Sequence, residues 1–119
     1  MRLLFVCVGN SCRSQMAEGI ARSMGYIADS AGTHPAAKIA LNAVKVLNSK
    51  GISTKGMIPK SVNSFSADDY DKVISMGCGV NCPMMSIDED WGLEDPVGKD
   101  ISVYQSTAAE IERRLKLFK

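Results

Sequence analysis

The run Leu3-Leu4-Phe5-Val6-Cys7-Val8-Gly9-Asn10-Ser11-Cys12-Arg13-Ser14 constrains this chain more than any other stretch. Its first four residues are apolar, with an aromatic and a β-branched member, the composition of a short strand buried on both faces. Cys7 ends that strand. Gly9, Asn10 and Ser11 supply a tight turn, and a helical pattern begins at Arg13. Strand, loop and helix thus follow without a break, with a thiol at the strand's end and an arginine at the helix's start in the spacing C-x5-R. A loop entering a helix N-terminus gathers backbone N–H groups around one point, where the helix dipole adds positive potential. Such a cradle suits a tetrahedral oxyanion, and Arg13 adds a planar, two-pronged grip. The same field favours the thiolate form of Cys7, and Ser14 is placed to add a hydroxyl donor to it. The candidate oxyanion site is therefore Val8, Gly9, Asn10, Ser11, Cys12, Arg13 and Ser14, with Cys7 as the nucleophile.

The rest of the chain reads as support for that loop. Its 119 residues suffice for one domain, 1–119, and not for two. A net charge of +1, with no basic cluster beyond Arg113-Arg114, argues against nucleic acid or an anionic membrane as partner. No apolar run approaches the roughly 18 to 20 residues of a membrane span, and residues 3–8 are too few for a signal-peptide core. The expectation is a cytoplasmic monomer. In that compartment four cysteines point to redox or metal chemistry rather than a disulfide framework.

Along the chain, Met16, Ile20 and Met24 form an apolar stripe on a helix over 13–24, which Gly25 stops. A strand is predicted over 26–31. A helix over 36–50 follows, carrying Ala40, Ala43, Val44 and Leu47 and ended by Gly51. The polar stretch 52–64, broken by Gly56 and Pro59, reads as a surface connection. Ser66 reads as the cap of a short helix. A third strand spans 71–76, a loop 77–85, and a short edge strand falls within 86–91, with Trp91 packed under the active-site side. Ile101, Tyr104, Ala108, Ile111, Leu115 and Phe118 mark the last helix. This order implies a three-layer α/β/α domain with a mostly parallel sheet. Ligands then sit beyond the carboxyl ends of the strands, where Cys7, the loop after the third strand and Asp95 fall.

The segment VCVGNSCRSQMAEG resembles the anion-binding loop of low-molecular-weight protein tyrosine phosphatases and of the arsenate reductases that share their fold. Gln15 after the R-S pair resembles the reductase branch, where the phosphatases usually carry proline. The resemblance implies a four-stranded parallel sheet in the order 2-1-3-4. It also implies that Asp95, in WGLEDPVG, is the general acid, a role that a bare D-P turn signal does not carry. The phosphatases normally place tyrosines after this proline; Val97 and Gly98 stand here instead.

Two further cysteines, Cys78 and Cys82, lie in GCGVNCP after the third strand. Reducing a pentavalent oxyanion takes two electrons, and thiols supply them by forming a disulfide. The resemblance implies that Cys7 attacks arsenic, Asp95 protonates the departing hydroxide, and Cys78 attacks the Cys7 sulfur. Arsenite leaves, and Cys82 resolves the disulfide. Phosphate and sulfate would mimic arsenate. Thioredoxin and glutaredoxin with glutathione both remain as donors: NCP is similar to the thioredoxin-coupled members, GCGVN to a glutaredoxin-coupled group. The order in which Cys78 and Cys82 act is open for the same reason. Zinc on a C-x3-C pair with Cys7 and Cys12 is the bland alternative, but it would dismantle the anion cradle. Cys12 reads as a structural residue pointing into the protein, able to pair with Cys7 under oxidation. Some relatives brace the loop with a potassium ion; the acidic residue expected after the second helix is replaced around Pro59, so no metal or other cofactor is expected. The competing enzyme is a phosphatase hydrolysing phosphomonoesters through a cysteinyl-phosphate, and weak activity of that kind is compatible with the same cradle.

Overall fold

Strand β1 (Arg2–Cys7) is buried from Leu3 to Cys7 because it lies at the centre of the sheet. The computed structural model describes residues 1–77 and 87–118, so Cys78 and Cys82 lie outside the described residues. After β1 come α1 (Arg13–Ser23), β2 (Ile27–Gly32), α2 (Leu41–Ser49), β3 (Lys72–Ser75), β4 (Glu89–Asp90) and α3 (Ile101–Lys116). The strands pair in parallel in the order β2-β1-β3-β4, as the family resemblance implies. Short 3-10 turns occupy Val62–Ser64 and Ala67–Asp69.

The two faces of β1 feed two cores, as the strand's period of two requires. Leu3, Phe5 and Cys7 face the larger one with Met16 and Ile20 of α1, Leu47 of α2, and Ile111 and Leu115 of α3. Leu4 and Val6 face a smaller one with Ala31 and Val73, covered by Val62, Phe65, Ala67, Tyr70 and Ile87. The helices thus form one layer, and the 3-10 turns supply the layer on the opposite face. No helix among the described residues is long and apolar enough to cross a membrane.

Four local readings change. The second helix starts at Leu41 and not near Ala36, because the backbone before it is committed elsewhere. Thr33, His34, Ala36 and Ala40 donate their N–H groups to the carbonyls of Cys7, Val8, Gly9 and Ser11, at 3.1, 2.8, 2.9 and 2.7 Å. Pro35 has no N–H to give. The stretch 52–64 is more than a surface connection: Gly32 N–H donates to the Lys60 carbonyl at 2.7 Å, and Gly32 and Ser61 form a parallel bridge. Ser66 precedes a 3-10 turn and makes no side-chain cap bond. Trp91 packs against Phe5 and against Phe118 beyond the far end of α3, with ring centroids 5.8 and 6.2 Å away, rather than beneath the loop.

Gly32 is where β2 passes under the loop. A Cβ there would lie 2.6 Å from the Val8 carbonyl oxygen and 3.0 Å from the Asn10 nitrogen, both backbone atoms. Overpacking at such a contact costs about 1–3 kcal/mol, so Gly32→Ala is expected to lower the unfolding free energy by about that amount, read as a lower urea midpoint. An unchanged midpoint would show that the loop yields freely at this point.

Candidate active site

The loop between β1 and α1 is organised by where its carbonyls go. The oxygens of Cys7, Val8, Gly9 and Ser11 accept from the 33–40 segment. That of Asn10 accepts from Gln15 Nε2 at 3.1 Å, and that of Cys12 from Met16 N–H at 2.8 Å. With every carbonyl from Cys7 to Cys12 engaged, the N–H groups of Val8, Gly9, Ser11 and Cys12 have no acceptor among the described residues. No side chain caps the N-terminus of α1 either. A loop with its acceptors used and its donors free is built for an anion. Asn10 makes the turn, taking a left-handed φ of 49°, which asparagine tolerates better than most residues.

The Cys7 sulfur is buried and receives directed donors. Asn10 N–H points to Sγ at 3.1 Å, and Ser14 Oγ lies 2.8 Å away. Ser14 accepts from Asn10 Nδ2 at 2.7 Å, which leaves its own hydrogen for the sulfur. Lys60 N–H in turn holds Asn10 Oδ1 at 2.8 Å. Donors therefore run in one direction, from the 58–61 segment through Asn10 and Ser14 to Cys7, as stabilising a thiolate requires.

Arg13 is 4% exposed. Nη1 donates to the Leu93 carbonyl at 3.0 Å, while the buried Nε has no partner among the described residues. Nη2 lies 3.9 Å from Asp95 Oδ2, too far for a hydrogen bond. One corner of the fork is anchored, and Nε with Nη2 is left for an oxyanion. The slot exists because residue 77 is glycine: a Cβ there would lie 2.3 Å from Nη1 and 2.7 Å from the Leu93 oxygen.

Asp95 stands across the cradle with its side chain 56% exposed. Its Oδ1 accepts from Val97 N–H at 3.1 Å and from the Cys12 thiol at 3.8 Å. Oδ2, on the Arg13 side, has no hydrogen-bond donor among the described residues. Burial pushes the Cys12 thiol up to about 11, so it stays protonated and serves as a donor. Cys12 is buried as the sequence suggests, yet its sulfur meets the candidate acid, a contact the sequence did not disclose.

Behind the loop, Gln15 Nε2 is also within 3.1 Å of Asn10 Oδ1 and 2.8 Å of the Ile58 carbonyl, contacts a proline could not make. Glu18, one turn on, is buried and meets Ser30, Lys60 and Arg22. Sequence reasoning missed Gly32, Lys60, Gly77 and the Leu93 carbonyl. Only the glycines carried a signal, and a close approach to a partner distant in sequence is not readable from either.

The model for low molecular weight phosphotyrosine protein phosphatase matches residues 2–119. The chain belongs to that family. It is 38% identical to the glutaredoxin arsenate reductase of Synechocystis, across 97% of this chain and 93% of that one. It is 32% identical to arsenate reductase 1 of Staphylococcus epidermidis, across 98% and 93%. Among solved structures it resembles an arsenate reductase in its phosphate-binding state, with a TM-score of 0.89, 38% identity and coverage of 98% and 95%.

Two outcomes test this member of the phosphatase family at its site. Gly77→Ala displaces the guanidinium, and losing a paired charge-assisted contact weakens phosphate binding about ten-fold or more; calorimetry giving an unchanged affinity would detach Gly77 from the cradle. In a chain carrying Cys78→Ser and Cys82→Ser, iodoacetamide at neutral pH labels Cys7 and spares Cys12, whose raised pKa keeps it a thiol until the pH nears 11. Peptide mapping that finds Cys12 alkylated as fast as Cys7 would contradict its burial.

Proposed function

We propose that this protein reduces arsenate to arsenite. The observation that carries the reading is Arg13 Nε, buried and unpartnered beside a loop whose carbonyls are all engaged. Arsenate seats among the loop N–H groups and Arg13, which brings arsenic up to Cys7 Sγ. The thiolate attacks, forming an S–As bond, and Asp95 delivers its proton from Oδ2 so that the displaced oxygen leaves as water. Cys78 attacks the Cys7 sulfur: an S–S bond forms, the S–As bond breaks, and its electron pair reduces arsenic to the trivalent state. Arsenite departs. Cys82 then attacks Cys78 and frees Cys7, leaving a Cys78–Cys82 disulfide for an external dithiol.

Support for a reductase over a hydrolase comes from the relatives, which match along almost the whole chain and are named arsenate reductases. Two added cysteines, and valine rather than an aromatic ring after Pro96, point the same way. The name of the Synechocystis relative favours glutaredoxin with glutathione as donor. The reading takes the enzyme as a cytoplasmic monomer, in a compartment where such thiols are abundant. Phosphomonoester hydrolysis remains the second reading, because the cradle accepts phosphate as readily as arsenate and Asp95 serves either leaving group.

Arsenite release driven by glutaredoxin and glutathione decides between them. Cys7→Ser, Cys78→Ser and Cys82→Ser are each expected to abolish it, by at least about a thousand-fold, since each removes a sulfur that the electron relay needs. Full arsenite release by the Cys78 and Cys82 variants would overturn the internal relay, and hydrolysis of an aryl phosphate as the only turnover would give the protein to the phosphatase reading.

A further inference from the structure

Glu18 is the one acidic residue buried among the described residues, and no step above uses it. A carboxylate withdrawn from water needs a cation or several donors. Glu18 has both: Ser30 Oγ donates to Oε1 at 2.8 Å, Lys60 Nζ lies 3.3 Å from the same oxygen, and Arg22 Nη1 lies 3.2 Å from Oε2. The two cations differ in what else they hold. Arg22 is half exposed and shared with Asp29. Lys60 belongs to the backbone that braces the loop, with its N–H on Asn10 Oδ1 and its carbonyl accepting from Gly32. Neutralising Glu18 and holding Asn10 are therefore tasks of one residue. From Asn10 two routes of donors reach the Cys7 sulfur, one direct and one through Ser14.

The family resemblance admits a monovalent cation behind the loop in some members. The residues here do not fit one. Lys60 and Ser30 take Glu18 Oε1, while Lys60 N–H and Gln15 Nε2 crowd Asn10 Oδ1.

We propose that Lys60 is a tethered cation: its ammonium takes the place of a bound monovalent ion beside Glu18 and so positions Asn10 and the nucleophilic sulfur. Lys60 touches neither substrate nor sulfur, and is a positioning residue. The inference rests on Cys7 being the nucleophile and not on which oxyanion it attacks, so its test needs no arsenate.

The measurement is the rate at which iodoacetamide alkylates Cys7 at one fixed pH, in a chain carrying Cys78→Ser and Cys82→Ser. It is run in potassium, ammonium and tetramethylammonium chloride at equal ionic strength, which keeps general screening constant. With Lys60 present, the three rates agree within about two-fold, because the site is already filled. Lys60→Met slows alkylation about ten-fold in tetramethylammonium, and potassium or ammonium restores most of the loss by entering beside Glu18. Lys60→Arg keeps the rate independent of the cation. If Lys60→Met does not fold in tetramethylammonium, two results still decide. Its melting temperature must rise when a small cation is supplied, and Glu18→Gln with Lys60→Met must fold in all three salts alike. The proposal is overturned if the parent rate follows potassium, if Lys60→Met matches the parent in tetramethylammonium, or if no small cation restores either its rate or its folding.

Discussion

The structure depends on the carbonyls of the β1–α1 loop being turned away from its centre. Six successive oxygens, from Cys7 to Cys12, each find a donor outside the cradle. Each such bond nets only about 0.5–1.5 kcal/mol, yet a buried carbonyl left without one costs about 1–3 kcal/mol. The loop therefore keeps its shape only while the 33–40 segment, Gln15 and the first turn of α1 keep theirs. Anion binding and folding draw on the same set of bonds. Free N–H groups inside the loop are the complement of engaged oxygens outside it, and this arrangement precedes any guest.

Around that frame the two charged groups of the candidate site are held in different ways. Arg13 is buried, with one corner fixed on the Leu93 carbonyl and pressed against Gly77. In the proposed reaction charge accumulates on the oxyanion as the thiolate attacks, and a donor already in position need not reorganise to meet it. Asp95 stands at the open side with more than half its side chain in solvent. The general acid proposed at Asp95 must recover its proton every turnover, and access to water supplies it. The Cys12 thiol and Val97 N–H steady one carboxyl oxygen and leave the other without a hydrogen-bond donor among the described residues. A buried cysteine that resists ionisation is useful here for that reason, as a donor that does not compete with the nucleophile proposed at Cys7.

Behind the loop the problem is one of charge. Glu18 lies between α1 and β2, where a lone carboxylate would be strongly unfavourable, and it is neutralised from the connection that follows α2. That connection is polar, lacks long periodic segments and contains Gly56 and Pro59, so its sequence looks like solvent-exposed chain. Its function depends on one backbone N–H and one ammonium reaching residues 50 and 42 positions away.

What the chain disclosed unaided was whatever is local. Apolar β1, the glycine and asparagine of the turn, and the stripe on α1 place a thiol and an arginine at one end of a parallel sheet, because strand and helix periodicities act over a few residues. The family resemblance added the sheet order and singled out Asp95. The start of α2 was misread because its helical pattern runs back through residues whose N–H groups the loop needs more. The carbonyl that anchors Arg13, the glycine that admits it, the cysteine that meets Asp95 and the lysine that neutralises Glu18 were all decided by the tertiary structure. Each is a contact between segments distant in sequence, and neither spacing nor composition records which buried donor will find which acceptor once the backbone has closed.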